Sequence, residues 1–89
     1  MAVEEFTNAI QVNPNYSNAY WYRGLAYKKL GQYQTAINDY DKAIQLDPDE
    51  ASLYDNRGIA YGNLGQYQLA INDYTKVIQL DPDSASAYN

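Results

Sequence analysis

The sequence predicts an all-helical chain in which helix pairs stack along one axis, and three observations carry that expectation. A 34-residue stretch, Ser17 to Glu50, returns without a gap as Ala51 to Ser84, and the two copies agree at 22 of 34 positions. The longest shared blocks are LGQYQ, AINDY and IQLDPD, and a period in this range marks a stacked array. Apolar residues recur at i, i+3, i+4 and i+7 and nowhere alternate at period two, so helices with one buried face are expected and strands are not. All three prolines fall between those helical segments.

The first helix is half of a repeat. Laid against Thr35 to Asp47, the opening residues place Ala2 on Ala36, Phe6 on Tyr40, Ala9 on Ala43, Ile10 on Ile44 and, one step on, Pro14 on Pro48. Ala2, Val3, Phe6, Ala9 and Ile10 share one face, with Glu4, Glu5, Asn8 and Gln11 on the other. Pro14 stops this helix. The asparagines around it and Ser17 are good N-cap types for the next one, expected over about Ser17 to Leu30. Gly31 supplies a left-handed residue at that helix's C-terminus and Gln32 completes a short turn.

A third helix follows from about Tyr33 to Leu46, with Tyr33, Ala36, Ile37, Tyr40 and Ile44 on its apolar face. Asp47-Pro48-Asp49 closes the unit. The second unit repeats the scheme, with helices at about Ala51 to Leu64 and Tyr67 to Leu80, then Asp81-Pro82-Asp83. The last residues, Ala85 to Asn89, match the opening of a truncated sixth helix. The chain therefore divides into a half-repeat and turn over 1–16, full repeats over 17–50 and 51–84, and the start of another helix over 85–89.

Gly24 and Gly58 lie inside helices, where glycine costs roughly 1 kcal/mol relative to alanine. Close approach of the partner helix, which offers Ala36 or Ala70, is the expected compensation.

Composition removes whole classes of function. With no cysteine there is no disulfide framework, thiolate or zinc knuckle, and with no histidine the usual general base and commonest metal ligand are gone. No cofactor and no metal are expected. A net charge of −5 with only 6 Lys and Arg argues against nucleic acid and against an anionic membrane. No apolar run approaches the ~20 residues of a membrane span, and Met1 to Ile10 lacks the regions of a signal peptide. A soluble chain compatible with the cytoplasm is expected. Carboxylates such as Asp39, Asp41 and Asp73 are not paired with a nucleophile or base, so an enzyme is the weakest reading.

The spacing resembles the tetratricopeptide repeat. The residues that carry the resemblance are Tyr20, Gly24, Tyr27, Gly31, Tyr33, Ala36, Tyr40, Ala43 and Pro48, then Tyr54, Gly58, Tyr61, Gly65, Tyr67, Ala70, Tyr74 and Pro82. Three features depart from the pattern: tyrosine for the first tryptophan, Arg23 and Arg57 for leucine, and Val77 for the second small alanine. The arginines are expected to lay their stems along the helix interface with the guanidinium near Asp39 or Asp73. The resemblance implies a right-handed α-solenoid that acts as a scaffold, binding a peptide segment of a partner in a concave groove lined by the first helix of each pair.

Residue by residue, that groove would carry Asn18, Trp21, Tyr22, Leu25, Lys28 and Lys29 from the first full repeat, and Ser52, Asp55, Asn56, Ile59 and Asn63 from the second. The two repeats agree at packing positions and differ here, as expected when one set of residues builds the array and another meets a partner. Trp21 is the sharpest candidate anchor, although its ring would equally cover the groove floor beside Leu25 and Ile59. Lys28 and Lys29 could attract an acidic peptide or simply complement the helix dipole.

Some tetratricopeptide proteins grip the acidic C-terminus of chaperones through a lysine and an asparagine at the positions held here by Trp21 and Leu25. Only Asn56 matches that clamp, so a hydrophobic or aromatic peptide is expected instead. The competing reading is self-association, head to tail or by helix exchange, through apolar residues at the two ends: Val3, Phe6 and Ile10 at one, Tyr74, Val77 and Ile78 at the other.

Overall fold

The computed structural model describes residues 2–82, and the expected start of a sixth helix at 85–89 lies outside them. Five helices follow one another: α1 Ala2–Val12, α2 Ser17–Lys29, α3 Tyr33–Leu46, α4 Ala51–Asn63 and α5 Tyr67–Leu80. Each packs on the next, and α2 also touches α4 across the repeat. There is no strand among the described residues.

The turns explain these bounds. After α2, Gly31 takes φ 78°. This lets the Gln32 N–H donate to the Tyr27 carbonyl at 2.9 Å and the Gly31 N–H donate to the Lys28 carbonyl at 2.9 Å, which satisfies carbonyls the helix end would otherwise orphan. Gly65 repeats the device at φ 76°.

The start of α2 differs from expectation. Its N-cap is Tyr16, in extended backbone and with no side-chain cap, and Ser17 is already helical. The turn is tied by other bonds, among them the Tyr16 N–H donating to the Asn13 carbonyl at 3.1 Å. The Asn15 N–H donates to Asn13 Oδ1 at 3.2 Å, and the Tyr20 hydroxyl donates to the Pro14 carbonyl at 3.1 Å. The Tyr54 hydroxyl does the same for Pro48 at 2.7 Å. A tyrosine in the following helix therefore ties the turn to that helix by donating to the carbonyl of the proline, which cannot continue the helix before it, while the Ala19 N–H donates to the Tyr16 carbonyl at 3.1 Å.

The core lies where α2, α3 and α4 meet. Ala36, Ile37 and Tyr40 of α3 and Ala60 of α4 are fully buried, surrounded by Trp21, Leu25, Tyr27, Tyr33 and Tyr61. Gly24 is compelled by close approach, as expected, but the approaching group is not Ala36. A Cβ on Gly24 would stand 2.6 Å from Tyr40 Cε1, so the ring edge or face occupies the space a side chain would need. Gly58 faces Tyr74 in the same way at 2.8 Å.

Both arginines bridge three helices. Arg23 donates through Nε and Nη2 to the two oxygens of Asp39 at 2.8 and 2.7 Å, and through Nη1 to Thr7 Oγ1 on α1 at 3.2 Å. Arg57 grips Asp73 in the same bidentate fashion at 2.9 and 2.7 Å and reaches back to Asp41 on α3 at 2.9 Å. Each guanidinium also lies within 6.0 Å of two tyrosine ring centroids on its own helix. The buried carboxylates of Asp39 and Asp73 are thus neutralised in place, as a bidentate fork allows.

Candidate protein-interaction surface

The positions of α2 and α4 expected to form the groove all differ between the two repeats. On α2, Asn18, Trp21, Leu25 and Lys28 are half-buried, while Tyr22 and Lys29 are exposed. On α4, Asp55 and Asn56 are half-buried, and Ser52, Ile59 and Asn63 are exposed. Trp21 and Leu25 pack against the core, so both are structural as well as available. The Trp21 indole is stacked on Tyr22 at 5.5 Å between centroids, and Tyr22 meets Phe6 of α1 at 5.7 Å. An aromatic row therefore runs from α1 onto α2.

Trp21 Nε1 is buried and has no hydrogen-bond partner among the described residues, a state shared by the Tyr40 hydroxyl. A donor without an acceptor costs free energy unless something supplies one. Neither Lys28 nor Lys29 makes an ion pair among the described residues, so both charges are free to act on a ligand. Burial pushes the Tyr40 hydroxyl up to about 12, with the nearby Asp39 carboxylate adding to the shift. The guanidinium of Arg57 is held even more firmly charged than usual, first by its bonds to Asp73 and against the cost of burial.

The ends of the stack need one correction. Val77 was expected to be exposed, but it is 4 % accessible. It stands at the register of Ala43, which faces its own partner helix and is also buried. Tyr74 is half-buried, its ring against Gly58. Ile78 is exposed, and Val3, Phe6 and Ile10 are half-buried. Sequence reasoning missed the larger exposed set on α5, namely Tyr67, Leu69 and Ile71. For Ile71 the signal was present, since it aligns with Ile37, whose burial depends on the next helix in the chain.

It also missed two adjoining hollows of about 400 and about 300 Å³ between α1 and the C-terminal half of α2. Tyr22, Leu25 and Lys29 line the smaller hollow together with Phe6. Three residues assigned to the groove therefore also border this second surface.

Stacked antiparallel helix pairs with an invariant packing face and a divergent open face define a helical-repeat interaction module. The chain belongs to the tetratricopeptide repeat family: profiles described as "TPR repeat" match residues 1–31 and 26–65, and one described as "Tetratricopeptide repeat" matches 52–84. That family is generally a non-catalytic protein-interaction fold. The search among curated proteins found no match.

Solved structures agree on the fold. The TPR domain of Arabidopsis OM64 is 31% identical with a TM-score of 0.88, covering 91% of this chain and 67% of that one. The first TPR of Spaghetti (RPAP3), bound to the HSP90 peptide SRMEEVD, is 26% identical with a TM-score of 0.88, over 90% of this chain and 64% of its own. A crystal structure of MamA is 28% identical with a TM-score of 0.87, over 94% of this chain and 49% of that one. The chain spans about half the length of the MamA chains it matches. No helix among the described residues is long and apolar enough to cross a membrane.

Proposed function

We propose that the chain binds a peptide segment of a partner protein on the open face of α2 and α4, and that the segment is hydrophobic or aromatic. The observation that carries this reading is the contrast between repeats. Arg, Gly, Ala and Tyr recur at 23/57, 24/58, 26/60 and 27/61, where the helices pack, whereas Trp21, Tyr22 and Lys29 give way to Asp55, Asn56 and Asn63 on the open side. Trp21 also packs against the core, but Tyr22 and Lys29 are exposed, so packing places little demand on those two positions.

Peptide binding by the Spaghetti domain supports the general mode. The ligand class differs, because the half-buried Trp21 and Leu25 and the exposed Ile59 contribute apolar surface at these positions. The test follows Trp21 fluorescence during titration with a peptide panel. An apolar or aromatic peptide should bind more tightly than SRMEEVD. Ile59→Asp should weaken it by more than about 1 kcal/mol, as for an interface anchor, without changing the melting curve. Tightest binding by the acidic peptide, unaffected by Ile59→Asp, would overturn the reading.

A further inference from the structure

Gly62 is a glycine for which neither the repeat nor packing accounts. Gly31 and Gly65 take the left-handed turn, and Gly24 and Gly58 make room for tyrosine rings, but Gly62 stands in the last turn of α4 without a positive φ, and a Cβ on it would meet nothing within 4 Å. Glycine at such a place gives up helix stability relative to alanine. In the first repeat the same register holds Lys28, and both residues are half-buried.

Charge gives a second, independent indication at the same place. Of the 6 Lys and Arg, Arg23 and Arg57 are held by carboxylates, Lys76 lies 5.9 Å from the Tyr54 ring centroid, Lys42 is on α3, and Lys29 borders the hollow beside α1 together with Glu4. Lys28 is the cation of α2 left to the groove, with no ion pair among the described residues. Residues 26–37 and 60–71 contain no Asp or Glu, whereas Asp47, Glu50 and Asp55 stand where α4 begins. The groove is therefore negative at one end and positive at the other. The C-terminal dipoles of α2 and α4 do not cancel the lysine, because α3 and α5 present their N-termini at the same end.

We infer that the apolar segment bound on this face carries an Asp or Glu three residues from the side chain that packs on Trp21, and that Lys28 holds this carboxylate in the space Gly62 leaves open. The inference rests on the peptide-binding reading above and names the charge its ligand carries. Lys28 follows Trp21 by seven residues on the same helix face, about 10 Å along the axis. An extended peptide in the polyproline II conformation returns to one face every third residue, about 9 Å on. An acid placed nearer the anchor would lie over Leu25, where a charge loses water and gains no partner.

The test is fluorescence anisotropy of labelled peptides titrated with the whole protein. GAFAADG and its reverse, GDAAFAG, are each compared with the neutral peptide that has Asn for Asp. In the better order the acidic peptide should bind about threefold more tightly than its neutral counterpart, the worth of a partly exposed ion pair, and salt should shrink the difference. GAFDAAG, with the acid beside the aromatic residue, should show no preference. Lys28→Gln should remove the preference, and Gly62→Leu should reduce it without lowering the melting temperature. Lys42→Gln, which removes an equal charge from α3, should preserve it. Equal binding of acidic and neutral peptides, or a preference that survives Lys28→Gln, would overturn the inference while the neutral peptide's binding upholds the reading beneath it. Binding of no peptide in the panel would overturn both.

Discussion

Ile37 and Ile71 hold the same place in two copies of the same helix, yet one is 1 % accessible and the other 54 %. Their neighbours in sequence are nearly identical, AINDY in both cases. The difference lies in the adjoining helix: α4 covers Ile37, and no described helix covers Ile71. The same contrast separates Tyr40, fully buried, from Tyr74, half-buried. In a stacked array a residue's environment belongs to the interface between units, so its energetic weight cannot be assigned from its own repeat.

The arginines show a milder version. Arg23 completes its bonds on a neutral hydroxyl, Thr7, whereas Arg57 completes them on a second carboxylate, Asp41. The bidentate pair is invariant, and the third bond tolerates either partner. Its acceptor in the second repeat is half exposed, which leaves water to compete.

Substitutions can break this comparison at several strengths. Ile37→Ala should cost about 3 kcal/mol, as for a large aliphatic residue removed from a full core. Ile71→Ala should cost less than about 0.5 kcal/mol, as at an exposed site. Urea denaturation of both variants checks this, and equal costs would mean that something covers α5 in solution.

Gly24→Ala comes next, at about 2 kcal/mol destabilising, because the Tyr40 ring is enclosed and cannot move aside. Gly58→Ala should lie within about 1 kcal/mol of the parent, since the half-exposed Tyr74 ring can yield and alanine gains helix propensity. Thermal melts of the pair would sharpen the contrast between inner and outer repeat.

Asp41→Thr, which makes the second arginine site resemble the first, should cost no more than about 0.5 kcal/mol because an exposed ion pair is worth little. A double-mutant cycle with Arg57 measures it.

The smallest effect at neutral pH is that of Tyr40→Phe, which removes a buried hydroxyl without a partner. Its signature is alkaline. The folded state holds this phenol protonated up to about 12, against 10.0 for the free group. Above pH 10 the unfolded chain therefore loses the proton first, and stability falls as the pH rises towards 12. Denaturation midpoints at pH 9, 10 and 11 should drop less steeply in Tyr40→Phe than in the parent; identical slopes would show that the Tyr40 phenol is not the group responsible.

Much of the fold was legible because each helix carries its own punctuation. Gly31 and Gly65 end α2 and α4 by a backbone conformation that L side chains rarely adopt, and the prolines set the other joints. The pairing of Arg23 with Asp39 was readable too, since both positions recur 34 residues later with the same types. The N-cap at Tyr16 was not readable, because Ser17 and the asparagines fit the local rule for a cap, whereas the turn is tied by a tyrosine hydroxyl that donates to the Pro14 carbonyl from the next helix. The candidate surface was legible only as a list of divergent positions. That Tyr22, Leu25 and Lys29 also border the hollow at α1 depends on the angle at which α1 meets α2.

Helix number, helix ends and the repeat register follow from local chemistry and period, which are written along the chain. Which of two identical isoleucines is buried and which glycine is indispensable were settled by tertiary contacts alone. Burial is the removal of water by a neighbour, and here the neighbour is a helix in another unit.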